Sequence, residues 1–541
     1  MKTNCVSITL RLLIAAGFVT VATSCLDNFE EYNHNPNETT DEELQRDNYN
    51  VGSKLLQLQN EVVPTEEHLY QFTEILAGDA FGGYAESTSD SWETKYSTFN
   101  PSADWLKAPF VDVMTDTYPP YRGIRKATTD PVPLALADLL RVAIMHRVTD
   151  QYGPIPYSKI VEDKKEQLTV PYDTQQEVYA KMFEELDAAI AVLNDNLSLS
   201  TEAFGDYDQV YGGNISKWVL FANSLKLRMA MRLTYVDEAQ AKTKALEAIN
   251  GGVIESNADN AKFQPTLNRC AMIWNDWQDH VISADLDSYM NGYNDPRRAK
   301  MFTSVTVTEK IKDPATGTET EVEKQVFRGL RIGTTPRSAV AAKQQYSFPI
   351  ISDTDPFLWM NAAEVAFLKA EYELRWGSAS EAGALYRKGV ELSFEERGAG
   401  RADTYLATAA RPEKYTDPLT SSSMMPLSTI TPVWNDDDPL ETALERIITQ
   451  KWIAIFPNCM EAWSEYRRTG YPRLMPAVAN LSGGTVSDSE GARRLPYPDD
   501  EYRENGANVN AAVAALAAES SRSKGDNMGT HVWWDCNPAI N

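Results

Sequence analysis

Apolar residues recur at helical spacing over much of the chain. Within 174–193, Val178, Met182, Leu186, Ile190 and Leu193 fall on one stripe of a helix. Residues 216–233 read as a second helix, rich in Leu, Met and Arg, with Phe221, Leu225 and Met229 sharing a core face. Residues 362–376 group Val365, Leu368 and Tyr372; after the Gly377-Ser378 break, 379–394 group Ala382, Leu385, Tyr386 and Val390. Two helices about a short break, with small residues at contact positions, follow the tetratricopeptide pattern. The intervals between the other helices are irregular, so no repeat array is predicted. A further helix is predicted over 443–456.

Strand signals are scarce, and alternation with period two is clearest over 304–311 and 321–327, on either side of Asp313-Pro314-Ala315-Thr316-Gly317. That predicts a protruding β-hairpin. Segments 77–110, 263–300 and 411–440, rich in Gly, Asn, Asp, Pro and aromatics, are predicted as long irregular loops, and loops of that length commonly carry function. At 541 residues, length alone suggests three or four domains. No linker divides the pattern. The expected fold is mostly α: one large helical domain with tetratricopeptide-like helix pairs, long irregular loops and a small β-hairpin.

The first residues follow another logic. Lys2 and Arg11 precede an apolar run over 12–23, shorter than the roughly 20 residues of a membrane-spanning helix. A basic start, an apolar centre and the small residues Ala22-Thr23-Ser24 before Cys25 describe a lipoprotein signal. Residues 1–24 are therefore read as a signal peptide and Cys25 as the lipid-attachment site. Residues 25–50, polar, acidic and Asn-rich, are read as a tether, and 51–541 as the folded body. Each buried methylene of an acyl chain contributes about 0.8 kcal/mol, so several chains make a stable anchor.

Composition narrows the partners. With 43% hydrophobic and 24% charged residues the chain is globular. Its 77 acidic against 51 basic residues give a net charge of −26, which argues against nucleic acid as a partner. Losing Lys2 and Arg11 makes the mature chain more negative still. Cys270, Cys459 and Cys536 are widely spaced and odd in number, which fits neither a disulfide framework nor a zinc site. One bridge plus a thiol, or three thiols, both remain open.

Catalytic signatures are missing: there is no P-loop, no G-x-G-x-x-G, no G-x-S-x-G, and no histidine pair at zincin spacing. Ser521-x-x-Lys524 matches S-x-x-K without a partner motif. A glycoside hydrolase's acid pair leaves no fixed spacing. Asp436-Asp437-Asp438 is read as a solvated loop rather than a cation site, lacking the EF-hand pattern. No cofactor is predicted; a structural cation such as calcium is left open.

Several segments, taken in order, resemble the SusD/RagB family of nutrient-binding outer-membrane lipoproteins. They are Asp150-Gln151-Tyr152-Gly153-Pro154-Ile155-Pro156-Tyr157; Lys217-Trp218 with Phe221-Ala222-Asn223-Ser224-Leu225-Lys226-Leu227-Arg228; and Asp295-Pro296-Arg297. Then come Glu364-Val365-Ala366-Phe367-Leu368-Lys369-Ala370-Glu371, Glu461-Ala462-Trp463, Tyr466-Arg467-Arg468-Thr469-Gly470, and the terminal Val532-Trp533-Trp534-Asp535. The physical reading of these motifs is structural. Pro154 and Pro156 end a helix, and Arg467 and Arg468 pair with acids or helix-end carbonyls.

The resemblance implies a binding protein rather than an enzyme, lipid-anchored at the cell surface. Its implied partner is a SusC-like TonB-dependent transporter, and its ligand an oligosaccharide. Peptide capture of the RagB type is the alternative, and an extracellular glycoside hydrolase a remoter one.

Ligand residues are not carried by these motifs, so candidates come from loop chemistry. An aromatic ring accepts the C–H face of a sugar while amides and carboxylates bond its hydroxyls. One loop offers Phe81-Gly82-Gly83-Tyr84 with Trp92 and Tyr96; another offers Trp274-Asn275-Asp276-Trp277, then Tyr289, Asn291 and Tyr293. Gly82, Gly83 and Gly292 are expected to leave room for a ligand, and both loops to line one cleft. The competing reading makes a loop tryptophan a plug over the core.

Overall fold

Side-chain caps mark where most of the helices begin. The computed structural model describes residues 48–160, 169–198, 205–312, 314, 318–520 and 522–540. The expected signal peptide, Cys25 and nearly all of the expected tether lie outside the described residues. The chain divides at Asn50 into two units, and the second, Val51–Asn541, is the folded body. In chain order its elements begin with α1 (Tyr49–Val62) and α2 (Glu67–Tyr70), which runs on through a π-helical stretch, Gln71–Asp79. Then follow β1 (Ala85–Ser87), α3 (Val113–Ala127), α4 (Pro131–Tyr152), α5 (Gln175–Asp195), α6 (Ile215–Arg232) and α7 (Glu238–Asn250). Short elements come next: β2 (Ala261–Phe263), β3 (His280–Ile282), α8 (Ala284–Gly292), β4 (Val305–Lys312), β5 (Glu319–Val326) and β6 (Phe357–Met360). The remainder is helical: α9 (Ala362–Trp376), α10 (Ala379–Glu396), α11 (Leu440–Ala454), α12 (Cys459–Thr469) and α13 (Asp499–Glu519).

Thr174 and Glu177 form a reciprocal capping box on α5, while Asn214, Asp237, Asn361 and Ser378 each accept a backbone N–H at the start of α6, α7, α9 and α10. Helix α4 opens on Pro131 behind the cap Asp130 and stops at Gly153, whose φ of +82° suits a residue without Cβ. The five helices expected from periodicity are all present, within a few residues of the expected ends. The hairpin pairs Val305 with Val326 through to Lys312 with Glu319; most of its turn lies outside the described residues.

Two expectations are corrected. Segments 77–110 and 263–300 are only partly irregular: between irregular runs such as 88–95 and 264–270 they hold the π-helical stretch, β1, a helical turn at Tyr96–Thr98, the π-helical turn Ile273–Trp277, β3 and α8. These pieces are short, and α8 buries Asp285 and Asp287 along with Leu286 and Tyr289, so no amphipathic stripe marks it. The helix pairs also stack. Consecutive helices pack as α4–α5, α6–α7 and α9–α10, and the pairs meet through α5–α6 and α6–α9. The fold is tetratricopeptide-like, as the α9–α10 pair alone indicated.

Charge fills the middle of this stack. Arg228 (α6) forks onto Glu364 (α9) at 2.8 and 2.7 Å. Arg232 meets Asp150 (α4), Glu461 and Glu465 (α12), and Lys451 (α11) reaches Glu461 at 2.9 Å. Arg468 forks onto Glu371 at 2.7 and 2.6 Å and also binds Glu465. All nine side chains are at most 5% exposed. Arg467 lies over Trp463 and donates to the carbonyls of Asp150, in the last turn of α4, and Arg493. The expected pairing of Arg467 and Arg468 thus holds, and Phe221, Leu225 and Met229 are buried as expected.

Other expectations resolve locally. Cys270, Cys459 and Cys536 are all free thiols. In the aspartate run, Asp436 accepts the Trp434 indole N–H and Asp438 pairs with Arg446 at 2.6 Å. The glycines do not make room for a ligand. A Cβ on Gly292 would lie 2.3 Å from the Arg411 carbonyl, one on Gly82 2.8 Å from the Cys459 carbonyl, and one on Gly83 2.6 Å from the Leu474 side chain. Protein, much of it backbone, already occupies that space. Gly292→Ala is therefore expected to cost about 1–3 kcal/mol by overpacking, read as a lowered midpoint in thermal unfolding. An unchanged midpoint would contradict this close approach.

Candidate functional site

The short sheet of β1 and β3 joins the two candidate loops. Ala85 pairs with Ile282, Glu86 with Val281 and Ser87 with His280. Thr88 extends the union by donating its N–H to Asp279 O at 2.7 Å. Two of the eight candidate residues reach a common half-exposed surface through this junction. Trp92 packs edge-on to Trp105, centroids 5.5 Å apart, and lies 5.9 Å from His280. Trp277 ends its π-helical turn just before Gln278, a left-handed residue at φ +54°, and stacks on His68 at 5.5 Å and 22°.

Helix α2 completes the surface. His68 and Phe72 are four residues apart and so share a helix face, and Phe72 lies 6.2 Å from Trp105. A row of partly exposed rings results: Trp277, His68, Phe72, Trp105, Trp92. His68, Phe72 and Trp105 are its unforeseen members. The i, i+4 spacing of His68 and Phe72 was the available signal, masked by buried residues between them.

Polar groups behind the row hold it in place. Gln71 Nε2 donates to Asp279 Oδ2 at 2.9 Å, and His280 Nδ1 lies 2.8 Å from Asp279 Oδ1. Burial pushes the Asp279 carboxyl up, but His280 and these hydrogen bonds outweigh it and hold the group below its ordinary range. Tyr96 stacks against Trp105 at 6.1 Å and donates its hydroxyl to the Trp105 carbonyl at 3.0 Å. Lys343 Nζ donates to Trp277 O at 2.8 Å.

The other candidates lie deeper. Tyr84, Tyr96, Trp274, Tyr289 and Tyr293 are each at most 3% exposed. Tyr84 and Tyr289 meet across Trp452, at 5.4 and 5.6 Å, and Tyr293 donates to Ile430 O at 3.0 Å. Asn291 is half-buried, its amide donating to Asp287 and Phe327 O, both at 2.8 Å. Tyr84, Tyr96, Tyr289 and Tyr293 pack as core and Trp274 lies behind the surface, leaving Trp92 and Trp277 of the candidate aromatics on the half-exposed face. Among the described residues, Glu66, Glu67 and His68 bring possible metal-ligand atoms within 4.8 Å of one another. Glu66 already caps α2, Glu67 pairs with Arg269, and His68 stacks on Trp277.

Comparison with known proteins agrees with this architecture. A SusD homologue from Bacteroides thetaiotaomicron is 48% identical, with 90% of this chain and 99% of that chain covered and a TM-score of 0.83. A homologue from Bacteroides ovatus is 42% identical, with 90% and 99% covered and a TM-score of 0.80. A chitin-binding SusD homologue from Flavobacterium johnsoniae is 33% identical, with 91% and 100% covered and a TM-score of 0.80. No match is found among curated proteins. Among the described residues no helix is long and apolar enough to cross a membrane. The family model described as SusD-like, Susd and RagB outer membrane lipoprotein, matches residues 31–535. The chain belongs to the SusD-like family of outer membrane lipoproteins.

Proposed function

We propose that this protein is a cell-surface lipoprotein, anchored through Cys25, that captures oligosaccharides and hands them to a SusC-like TonB-dependent transporter without chemical turnover. The aromatic row Trp277–His68–Phe72–Trp105–Trp92 carries this reading. Its rings, tilted to one another along the surface, offer apolar faces and edges to the C–H faces of successive sugar units. Asp276 and Asp104, both exposed and each next in the chain to a row tryptophan, supply acceptors for hydroxyls. Their charge disfavours anionic glycans on this face, so the ligand class is a neutral oligosaccharide. The chitin-binding relative supports the same class.

A screen of the full-length chain on glycan and peptide arrays tests this. A neutral oligosaccharide should be retained. Replacing Trp92, Trp105 and Trp277 together with alanine should weaken it about 100-fold or more, at roughly 0.5–1.5 kcal/mol for each aromatic contact beyond the area it buries. Undiminished binding by the triple variant sinks the site. Retention of peptides alone, or hydrolysis of a bound glycan that a single Asp or Glu substitution abolishes, overturns the function.

A further inference from the structure

Behind α2 the fold encloses a second concavity, of about 390 Å³, with Tyr70, Glu74, Trp274, Phe357 and Asn458 in its wall. That volume falls in the range of small-molecule pockets. Tyr70 and Glu74 lie two positions on from His68 and Phe72, so they occupy the opposite side of the helical run. The cavity is therefore distinct from the aromatic row.

Its wall carries polar groups that the protein leaves unmet. Trp274 Nε1, Asn458 Oδ1 and Arg397 Nε are buried and find no hydrogen-bond partner among the described residues. Trp274 and Asn458 are 3% and 6% exposed. Unmet buried donors and acceptors are rare in folded proteins, and each calls for a bound group or water to explain it.

Charge bookkeeping gives the sign of that group. Glu396 is matched by Lys262 at 2.6 Å and Glu74 by Arg147, while Asp355 has no ion pair among the described residues, so two cations of the wall, Arg397 and Lys300, stand against one unmatched carboxylate. Arg397 has no ion-pair partner among the described residues; its guanidinium donates to the Phe456 carbonyl. Burial pulls that guanidinium below its usual range, and Glu396 and Asp355 nearby offset this only in part. Lys300 stands exposed at the wall, likewise without an ion pair among the described residues.

We propose that this cavity is a second ligand site that takes a single carboxylated sugar, with Arg397 holding the carboxylate. A guanidinium prefers a carboxylate's paired oxygens. Trp274 and Phe357 offer apolar walls to the sugar ring, and the Asn458 amide oxygen accepts from a hydroxyl. The site is independent of the aromatic row and of its preference for neutral glycans.

The test uses the full-length chain in mild detergent, titrated with D-glucuronate and with glucose and followed by saturation-transfer NMR and calorimetry. Glucuronate should bind at least about tenfold more tightly than glucose, and Arg397→Gln should remove about tenfold or more of that affinity. Ile350→Trp should do the same by filling the mouth. Ile350 is 50% exposed, so this variant keeps its fold even if Arg397→Gln does not. The triple alanine variant at Trp92, Trp105 and Trp277 should bind glucuronate as the parent does. Equal binding of glucose and glucuronate, no detectable glucuronate binding, or binding undiminished by Ile350→Trp overturns the proposal. Loss in the triple variant also overturns it, by moving the acid sugar to the outer face.

Discussion

Arg468→Met is expected to destabilise the folded body by about 3–5 kcal/mol at neutral pH, because it removes one partner from a buried ion network. The guanidinium is wholly buried and serves two carboxylates, reaching Glu371 at 2.6 Å and Glu465 at 2.7 Å. Without it Glu371 retains Arg375 and Glu465 retains Arg232 and Lys451, so neither acid is left alone. Four cations, Arg228, Arg232, Arg375 and Lys451, then face the five acids Asp150, Glu364, Glu371, Glu461 and Glu465 that five had balanced. Methionine roughly keeps the packing, so the loss reports the charge.

The pH dependence fixes the sign. Burial pushes the Glu461 carboxyl up, but Arg232, Lys451 and Arg228 outweigh it and hold it at about 2. Glu465 is held below its ordinary range against burial by Arg468, Lys451 and Arg232. Their folded-state values lie under the unfolded glutamate value of roughly 4.3. Their stabilisation is thus complete above that pH and is lost as pH falls towards the folded values. Urea unfolding of the parent should show stability dropping between about pH 4.3 and 2, less steeply in Arg468→Met, where Glu465 has lost a partner. A variant within about 1 kcal/mol of the parent at pH 7, as for an exposed pair, would refute the network's structural weight.

The same network shows what the chain disclosed in one dimension. Asp150, Arg228, Glu364, Glu371, Glu461 and Arg468 all stand in the motifs that carried the family resemblance. Their spacing along the chain says nothing of their meeting, since Asp150 and Glu461 reach Arg232 from α4 and α12. Helices α5 and α10 were legible because each buries one stripe against its neighbour, and α9 because Val365, Leu368 and Tyr372 keep helical spacing although its first two turns are buried all round. Helix α8 was not, because most of its surface is covered and its polar residues are satisfied inside. Trp92 and Trp277 were legible as aromatics in polar, Gly-rich surroundings. That composition equally describes Tyr84, Tyr289 and Tyr293, and only the third dimension shows that Trp452, Ile430 and Arg473 cover them.

Truncation separates the two kinds of aromatic. Tyr84 is wholly buried, its hydroxyl donating to the Trp452 carbonyl and its ring 5.1 Å from Phe456. Tyr84→Ala removes a large core side chain and should cost about 3–5 kcal/mol of stability, and Tyr289→Ala a similar amount. Tyr84→Phe keeps the ring but leaves a buried carbonyl without this donor, for about 1–3 kcal/mol. The glycan affinity of the protein that remains folded should not change in any of the three. Trp277→Ala should do the reverse. It exposes little core, so its unfolding midpoint should stay near the parent's, while glycan affinity falls by about tenfold with the lost ring face. Both quantities come from the same samples: calorimetric glycan titration below the unfolding transition, then the thermal melt. If Tyr84→Ala loses affinity with its melt intact, the buried tyrosines belong to the ligand surface and the aromatic row is not the whole site. If Trp277→Ala loses stability with its affinity intact, Trp277 is a plug over the core, and the row's claim on the glycan fails at its first ring.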